Sequence, residues 1–280
     1  MWRAVPMVVW MLVAGCGRGP LWHFPGDDAG DDGEAVDVDC DRADFVFVID
    51  DSPSMQAYQR ALVENVPVFI DGVQRVVQHG TDLHVGVVTT DAYAGNPAPC
   101  NVLGGFVTAT AGAHSSRATC GPYAEGASYM TAADDLDEAF ACAAQVGTQG
   151  NQVERPADAL RAAIDPDGEA AACNEGFLRG DALLIAVLLT DEPDQSSGSP
   201  KQWTKDLLQA KGDNADGVVV VSLLRNDEDC PDGVSTNCYP WALETFTDSF
   251  DYGYIGPITG DYAQLFDQAV DVVANACAGD

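Results

Sequence analysis

The chain has 280 residues, of which 46% are apolar and 20% are charged, and this composition is typical of one large globular domain. Its 44 acidic residues outnumber its 13 Lys and Arg residues, and the net charge is -31. Binding to phosphates needs clustered basic side chains, so this balance argues against nucleic acid as a partner.

The first 15 residues have the pattern of an export signal. Arg3 precedes an apolar run that is too short to span a bilayer, and small residues follow it. The ending VAGC resembles the lipobox of bacterial lipoproteins, in which cleavage precedes the cysteine and lipid is attached to it. The resemblance implies a signal peptide at residues 1–15, lipidation of Cys16 and a membrane-anchored, exported lipoprotein. Gly17 favours the outer membrane, and an ordinary signal peptide that contains a cysteine is the alternative.

Residues 16–39 are rich in Gly, Pro and Asp and show no apolar period. We expect them to form an acidic tether that self-repulsion keeps extended. A single domain is then predicted at residues 40–280.

The nine cysteines are an odd number for a secreted chain, and lipidation of Cys16 leaves an even set. No CxxC pair or Cys/His cluster indicates zinc, so four disulfides are the simpler interpretation. About 105 connectivities are formally open. Position along the chain leads us to expect the pairs Cys40–Cys277, Cys100–Cys120, Cys230–Cys238 and, as the remainder, Cys142–Cys173.

From Cys40 onward, apolar runs alternate with helical patterns. This indicates a Rossmann-like, doubly wound α/β fold, in which helices cover both faces of a mainly parallel sheet and disulfides staple the loops. The predicted strands are FVFVID ending at Asp50, LHVGVVTT ending at Thr90, ALLIAVLLTD ending at Asp191, GVVVVSLL ending at Leu224 and a weaker YGYIGPIT ending near Thr259.

Helical periodicity follows Ser54, surrounds Leu160, begins again at Pro200 and returns near the end of the chain. Pro67 is expected to kink or interrupt the first helix. Residues 92–130 show no period and are too long for an ordinary connection. We interpret them as an insertion, stapled by a disulfide, that shapes binding selectivity.

Polar side chains occur where the predicted strands end, which is where open parallel sheets collect ligands. Asp50, Ser52 and Ser54 follow the first strand, Asp191 ends the third, and Glu154 precedes a predicted helix. Hydroxyls and carboxylates without histidine or thiolate suit a hard divalent cation such as Mg²⁺, Ca²⁺ or Mn²⁺.

The sequence FVFVIDDSPSM resembles the DxSxS signature of von Willebrand factor type A domains, and AVLLTDE resembles their second strand-end motif. The two motifs form the family's metal-ion-dependent adhesion site, and the likeness covers residues 40–277. GNQVERPADAL and NEGFLRGDALLIAVLLTDEPDQSS further resemble a group of exported bacterial A-domain lipoproteins. The resemblance implies direct coordination of the cation by Ser52 and Ser54, with Asp50 and Asp191 acting mostly through water.

Glu154 departs from the family, because it stands where a metal-binding threonine is usual. The added carboxylate is expected to tighten cation binding and to satisfy the ion partly, with Ca²⁺ favoured. Asp51 is expected to turn away into solvent. Asp194 and Ser196 are expected in a solvated loop, with indirect support of the site as the alternative.

The sequence therefore predicts a non-catalytic lipoprotein of the cell envelope that binds an acidic residue of a protein partner through Mg²⁺ or Ca²⁺. One alternative is a structural surface protein whose metal site is self-satisfied. Another is a metal-dependent phosphohydrolase of the haloacid dehalogenase type. The phosphohydrolase is disfavoured because position 52 is serine, so the acidic residue of the DxD pair is missing. A serine hydrolase is disfavoured separately, because the sequence has no GxSxG motif.

Overall fold

A computed structural model of the protein describes residues 39–76, 82–226 and 239–279. The predicted signal peptide, Cys16, nearly all of the tether and the predicted Cys230–Cys238 disulfide lie outside these ranges. Within them, no helix is long and apolar enough to cross a membrane.

The described ranges contain six strands in one sheet and six α-helices. In chain order they are β1 (Asp39–Ile49), α1 (Gln56–Val76), β2 (Asp82–Thr89), β3 (Met130–Thr131), α2 (Leu136–Ala144), α3 (Pro156–Ile164), β4 (Ala182–Thr190), α4 (Pro200–Ala210), β5 (Val218–Leu224), α5 (Trp241–Thr247), β6 (Gly253–Pro257) and α6 (Tyr262–Ala278). The strand order is β3-β2-β1-β4-β5-β6, and each neighbouring pair is parallel except β2 and β3. The predicted α/β fold is confirmed, and the five predicted strands are present.

Alternation along β1 divides the core into two layers. Phe45 and Phe47 pack on one face of the sheet with side chains of α1, α2 and α6. Val46 and Val48 pack on the other face with side chains of α3, α4 and α5. Because both faces are covered, strands such as β4 are buried along their whole length, which explains their continuous apolar sequence.

The first helix continues through Pro67 without the predicted interruption. Leu62, Val66 and Phe69 are buried on both sides of the proline, and the Phe69 ring stacks on Phe266 of α6 at 4.8 Å between centroids. Proline cannot donate a backbone hydrogen bond, and the packing of this apolar stripe offsets the free-energy cost of losing it.

Three disulfides join described residues, namely Cys40–Cys277, Cys100–Cys173 and Cys120–Cys142. The first pair confirms the prediction, whereas the predicted Cys100–Cys120 and Cys142–Cys173 pairs are wrong. Cys100 and Cys173 belong to the α3 side of the core, while Cys120 packs against the α1 side. Cysteines that are close in the sequence therefore lie on opposite faces of the sheet. The three bonds indicate an exported protein, because disulfides form and persist in oxidising compartments.

We expect the Cys40→Ala/Cys277→Ala variant to lose about 2 kcal/mol more of the free energy of unfolding than the Cys120→Ala/Cys142→Ala variant. The two bonds span 237 and 22 residues. Closing the longer loop removes more entropy from the unfolded chain, about 5 against about 3 kcal/mol. Urea denaturation of the two double variants measures both losses, and equal losses would contradict this dependence on loop length.

Candidate functional site

The sheet reverses its direction of growth at β1, which has β2 on one side and β4 on the other. In such sheets a crevice opens at the carboxyl ends of the central strands. Asp50 follows β1 directly, and its backbone N–H donates to the carbonyl of Leu189 on β4 at 3.0 Å. The first predicted site residue is therefore fixed at the point where the fold favours a ligand site.

Asp50 is fully buried, and both of its carboxylate oxygens accept hydrogen bonds. The backbone N–H of Ser52 donates to Oδ1 at 2.7 Å, and the Thr190 hydroxyl donates to Oδ2 at 2.7 Å. Burial raises the pKa of Asp50 to about 6, although these hydrogen bonds favour the ionised form. The carboxylate thus shapes the turn that carries the serines.

The two serines and Asp191 are in contact, as predicted. The Ser52 and Ser54 hydroxyl oxygens are 3.2 Å apart, and Ser54 donates to Asp191 Oδ1 at 2.9 Å. Ser52 is buried but Ser54 is exposed, so the cluster opens to solvent on the side of Ser54. Arg225, which sequence reasoning missed, follows β5 and donates to Asp191 Oδ2 at 2.8 Å.

Glu154 lies at the same edge of the sheet, two residues before α3, and is fully buried. The hydroxyl of Thr90, the residue after β2, donates to Oε2, whereas Oε1 is buried and has no hydrogen-bond partner. Burial and, to a smaller extent, the negative charge of Asp50 together raise the pKa of Glu154 to about 9. The structure therefore brings all five predicted site residues to one edge of the sheet.

Gln59 is a second residue that sequence reasoning missed. From α1 its side-chain amide donates to the carbonyls of Asp50 and Gly147, at 2.9 and 2.8 Å, and its oxygen accepts from Gly147 N–H. Gln59 thereby ties the loop after α2 to the end of β1. Its position four residues after Met55, within a buried apolar stripe, is the signal that could have revealed it.

The prediction that Asp51 turns away into solvent is wrong. Asp51 is 2% exposed, and its Oδ1 has no hydrogen-bond partner. Burial and, to a smaller extent, the charges of Asp91 and Asp50 together raise the pKa of Asp51 to about 8. The loop that contains Gly150 covers it, and Gly150 N–H donates to the Asp51 carbonyl at 3.0 Å.

Asp194 and Ser196 do not lie in a freely solvated loop either, since both contact the start of α3. Asp194 Oδ2 accepts from the Ala157 N–H at 3.1 Å, and the Ser196 hydroxyl accepts from the Asp158 N–H at 2.8 Å. Backbone N–H groups at a helix start need such acceptors. The Gln195 N–H between them donates to the Glu154 carbonyl at 2.8 Å, so this loop positions Glu154.

The donors at this edge fit a hard divalent cation. They are hydroxyl and carboxylate oxygens, and the orphaned Oε1 of Glu154 needs either a proton or a positive ion. Among the described residues, no group of three or more His, Cys, Asp or Glu side chains has the arrangement of a metal site.

No protein-family model matches the sequence, and no curated protein matches it. One similar solved structure is proximal thread matrix protein 1 from the mussel byssus, with 17% identity, a TM-score of 0.49, and coverage of 85% of this chain and 49% of that one. Another is the pilus adhesin SpaC from Lactobacillus rhamnosus GG, with 14% identity, a TM-score of 0.46, and coverage of 83% and 30%. The chain thus spans about half of the mussel protein and under a third of the adhesin. At such low identities and TM-scores, these likenesses assign neither a family nor a function.

We expect Gly150→Ala to destabilise the protein by about 1–3 kcal/mol, because overpacking a well-filled region costs this much. A Cβ at this position would lie 2.3 Å from the Asp51 carboxyl carbon. Thermal and urea denaturation measure the loss. Gly180→Ala is the matched control, since nothing lies within 4 Å of its added Cβ. Adding Asp51→Ala should restore much of the stability, and no such coupling would contradict the packing described.

Proposed function

We propose that the protein is an exported binding protein with a von Willebrand factor A-type domain. In this proposal the domain holds a divalent cation at Asp50, Ser52, Ser54, Asp191 and Glu154. The observation that carries the proposal is the orphaned oxygen of Glu154, buried in a cluster whose other donors are also oxygens. When bound, the cation supplies a positive charge that an acidic side chain of a protein partner binds.

The exposure of Ser54 supports access by a partner. Ser52 and Glu154 lie beneath the surface, so a ligand reaches the cluster past Ser54. Mg²⁺ or Ca²⁺ is the cation we propose, because both prefer oxygen ligands and neither needs histidine or thiolate. We propose a non-catalytic role, because position 52 is serine where the phosphohydrolase pair DxD has its second acidic residue.

A structural role for the metal is the second candidate, and two observations favour it. The carboxylate of Glu154 is fully buried where the family has a neutral hydroxyl, and Arg225 pairs with Asp191. The negative charge of Glu154 and the positive charge of Arg225 both come from the chain itself, so the site depends less on charge from a partner. In this alternative the cation stabilises the fold at the surface of the cell, and no partner completes its coordination.

We further propose that the chain is a lipoprotein attached through Cys16, at the outer membrane. The support is the VAGC sequence that ends at Cys16 and the even number of cysteines that remains. An acidic tether would then carry the domain away from the membrane surface.

Glu154→Thr is expected to weaken cation binding by about tenfold or more, because it removes a full negative charge from beside the ion. Isothermal titration with Ca²⁺ and with Mg²⁺ measures the change. Glu175→Thr makes the same change in charge at an exposed position and should leave the affinity unaltered. Unchanged affinity in Glu154→Thr would remove Glu154 from the site.

Ser54→Ala is expected to abolish cation-dependent capture of a partner while the protein stays folded. Wild type and variant are immobilised and exposed to envelope extract with Ca²⁺ or with a chelator. A partner retained by the wild type alone, and released by the chelator, supports the binding role. Ser197→Ala, at an exposed serine outside the cluster, is the control and should behave as the wild type.

Two other outcomes of that experiment favour different functions. Cation-dependent thermal stability without any captured partner favours the structural role. Turnover of a generic phosphate ester that is abolished by Asp50→Asn would instead establish the phosphohydrolase.

A further inference from the structure

Both oxygens of the Asp191 carboxylate accept hydrogen bonds from side chains. Ser54 donates to Oδ1 at 2.9 Å, and the guanidinium of Arg225 donates to Oδ2 at 2.8 Å. The side chain of Asp191 is 2% exposed, whereas that of Arg225 is 29% exposed. A buried carboxylate is stable as an ion only beside positive charge or several donors. Arg225 is therefore a counter-ion that the chain itself supplies to Asp191.

The order of the strands brings Arg225 to Asp191. The strands β4 and β5 are parallel neighbours, and their last residues, Thr190 and Leu224, are paired in register. Asp191 and Arg225 are the next residue along each strand. Because neighbouring strands lie about 5 Å apart, the two side chains meet at the edge of the sheet. The ion pair is thus built into the sheet rather than formed between surface loops.

Two members of the proposed site reach solvent, namely Ser54 and Arg225. Ser54 is exposed and Arg225 is partly exposed, while Asp191 and the remaining proposed ligands are buried. The two donors flank Asp191, one on each carboxylate oxygen. A cation that enters beside Ser54 therefore arrives next to a guanidinium that is already bonded to the same carboxylate.

A guanidinium and a metal ion on one carboxylate oppose each other. The hydrogen bond from Arg225 is charge-assisted, so it neutralises part of the negative charge that a cation would use. Two positive charges on either side of one carboxylate also repel each other, most strongly where water is excluded. The effect of Arg225 on cation affinity is therefore opposite in sign to that of the Glu154 carboxylate, which attracts the ion.

We propose that Arg225 and the divalent cation compete for Asp191, so that the guanidinium sets how tightly the ion is held. This inference rests on the cation site of the proposed function. Arg225 neutralises Asp191 while no cation is bound, and the cation either displaces the guanidinium or shares the carboxylate with it at reduced affinity. Occupancy of the site then follows the concentration of the cation around the protein, rather than being fixed when the chain folds.

Isothermal titration of the purified protein with Ca²⁺ and with Mg²⁺ tests the competition. Arg225→Gln keeps an N–H donor but loses the charge, and it is expected to bind the cation about tenfold more tightly than the wild type. Arg225→Met, which is uncharged and also unbranched, should show the same gain. Arg225→Lys keeps the charge and should remain within about threefold of the wild type. Arg75→Gln, at an exposed position in the last turn of α1, is the matched control and should leave the affinity unaltered.

Thermal denaturation separates competition from a purely structural role of Arg225. In the presence of a chelator, Arg225→Gln should melt at a lower temperature than the wild type, because Asp191 loses its counter-ion. With saturating Ca²⁺ this difference should shrink, since the cation takes the place of the guanidinium and binding stabilises the folded chain. If Arg225 only holds the turn after β5, the variant melts lower by the same amount in both conditions.

Failure of this inference is distinguishable from failure of the proposed function. Cation binding that is equal in the wild type and Arg225→Gln, or weaker in the variant, overturns the competition and keeps the cation site. A cation that Arg225→Gln binds and the wild type does not supports the competition, and it overturns the proposed function because the guanidinium then excludes the ion. Binding by neither protein, with both folded by circular dichroism, overturns both proposals.

Discussion

The burial of carboxylates at the end of β1 is the constraint on which the rest of the site depends. Asp50 enters this position because β1 runs between two parallel neighbours, and the chain must turn where the strand ends. A buried carboxylate is stable only if donors or positive charge surround it. For Asp50 these donors are the backbone N–H of Ser52 and the hydroxyl of Thr190. Further along the same edge, Glu154 and Asp51 are only partly satisfied.

The fold could be predicted because its signals are local. A parallel strand covered on both faces has a continuous apolar sequence, and β4 and β5 show this along their whole lengths. The residues Asp50, Ser52 and Ser54 could be predicted for the same reason, since they follow such a strand directly. The strand β3 could not be predicted, because a segment of two residues is too short to show a periodic pattern.

The parts of the site that escaped prediction depend on contacts between distant segments. Asp51 is buried by the loop around Gly150, about one hundred residues later, and no local pattern reports this. Arg225 reaches Asp191 only because β5 lies beside β4. Two of the predicted disulfide pairings were wrong for a related reason. Pairing Cys100 with Cys120 assumes that sequence neighbours share a face of the sheet, and the chain between them changes face.

The segment between β2 and β3 also has a consequence for how the molecule meets other proteins. Val107 donates its backbone N–H to Val87, and β3 pairs in antiparallel fashion with the first half of β2. Together they occupy the backbone groups along a border of the sheet that would otherwise offer a template to a strand from another chain. The edge strand on this side of the sheet is therefore β3, which at two residues is too short to pair stably with a strand of another chain. This cover lowers the tendency of the folded chain to aggregate, separately from any ligand that it binds.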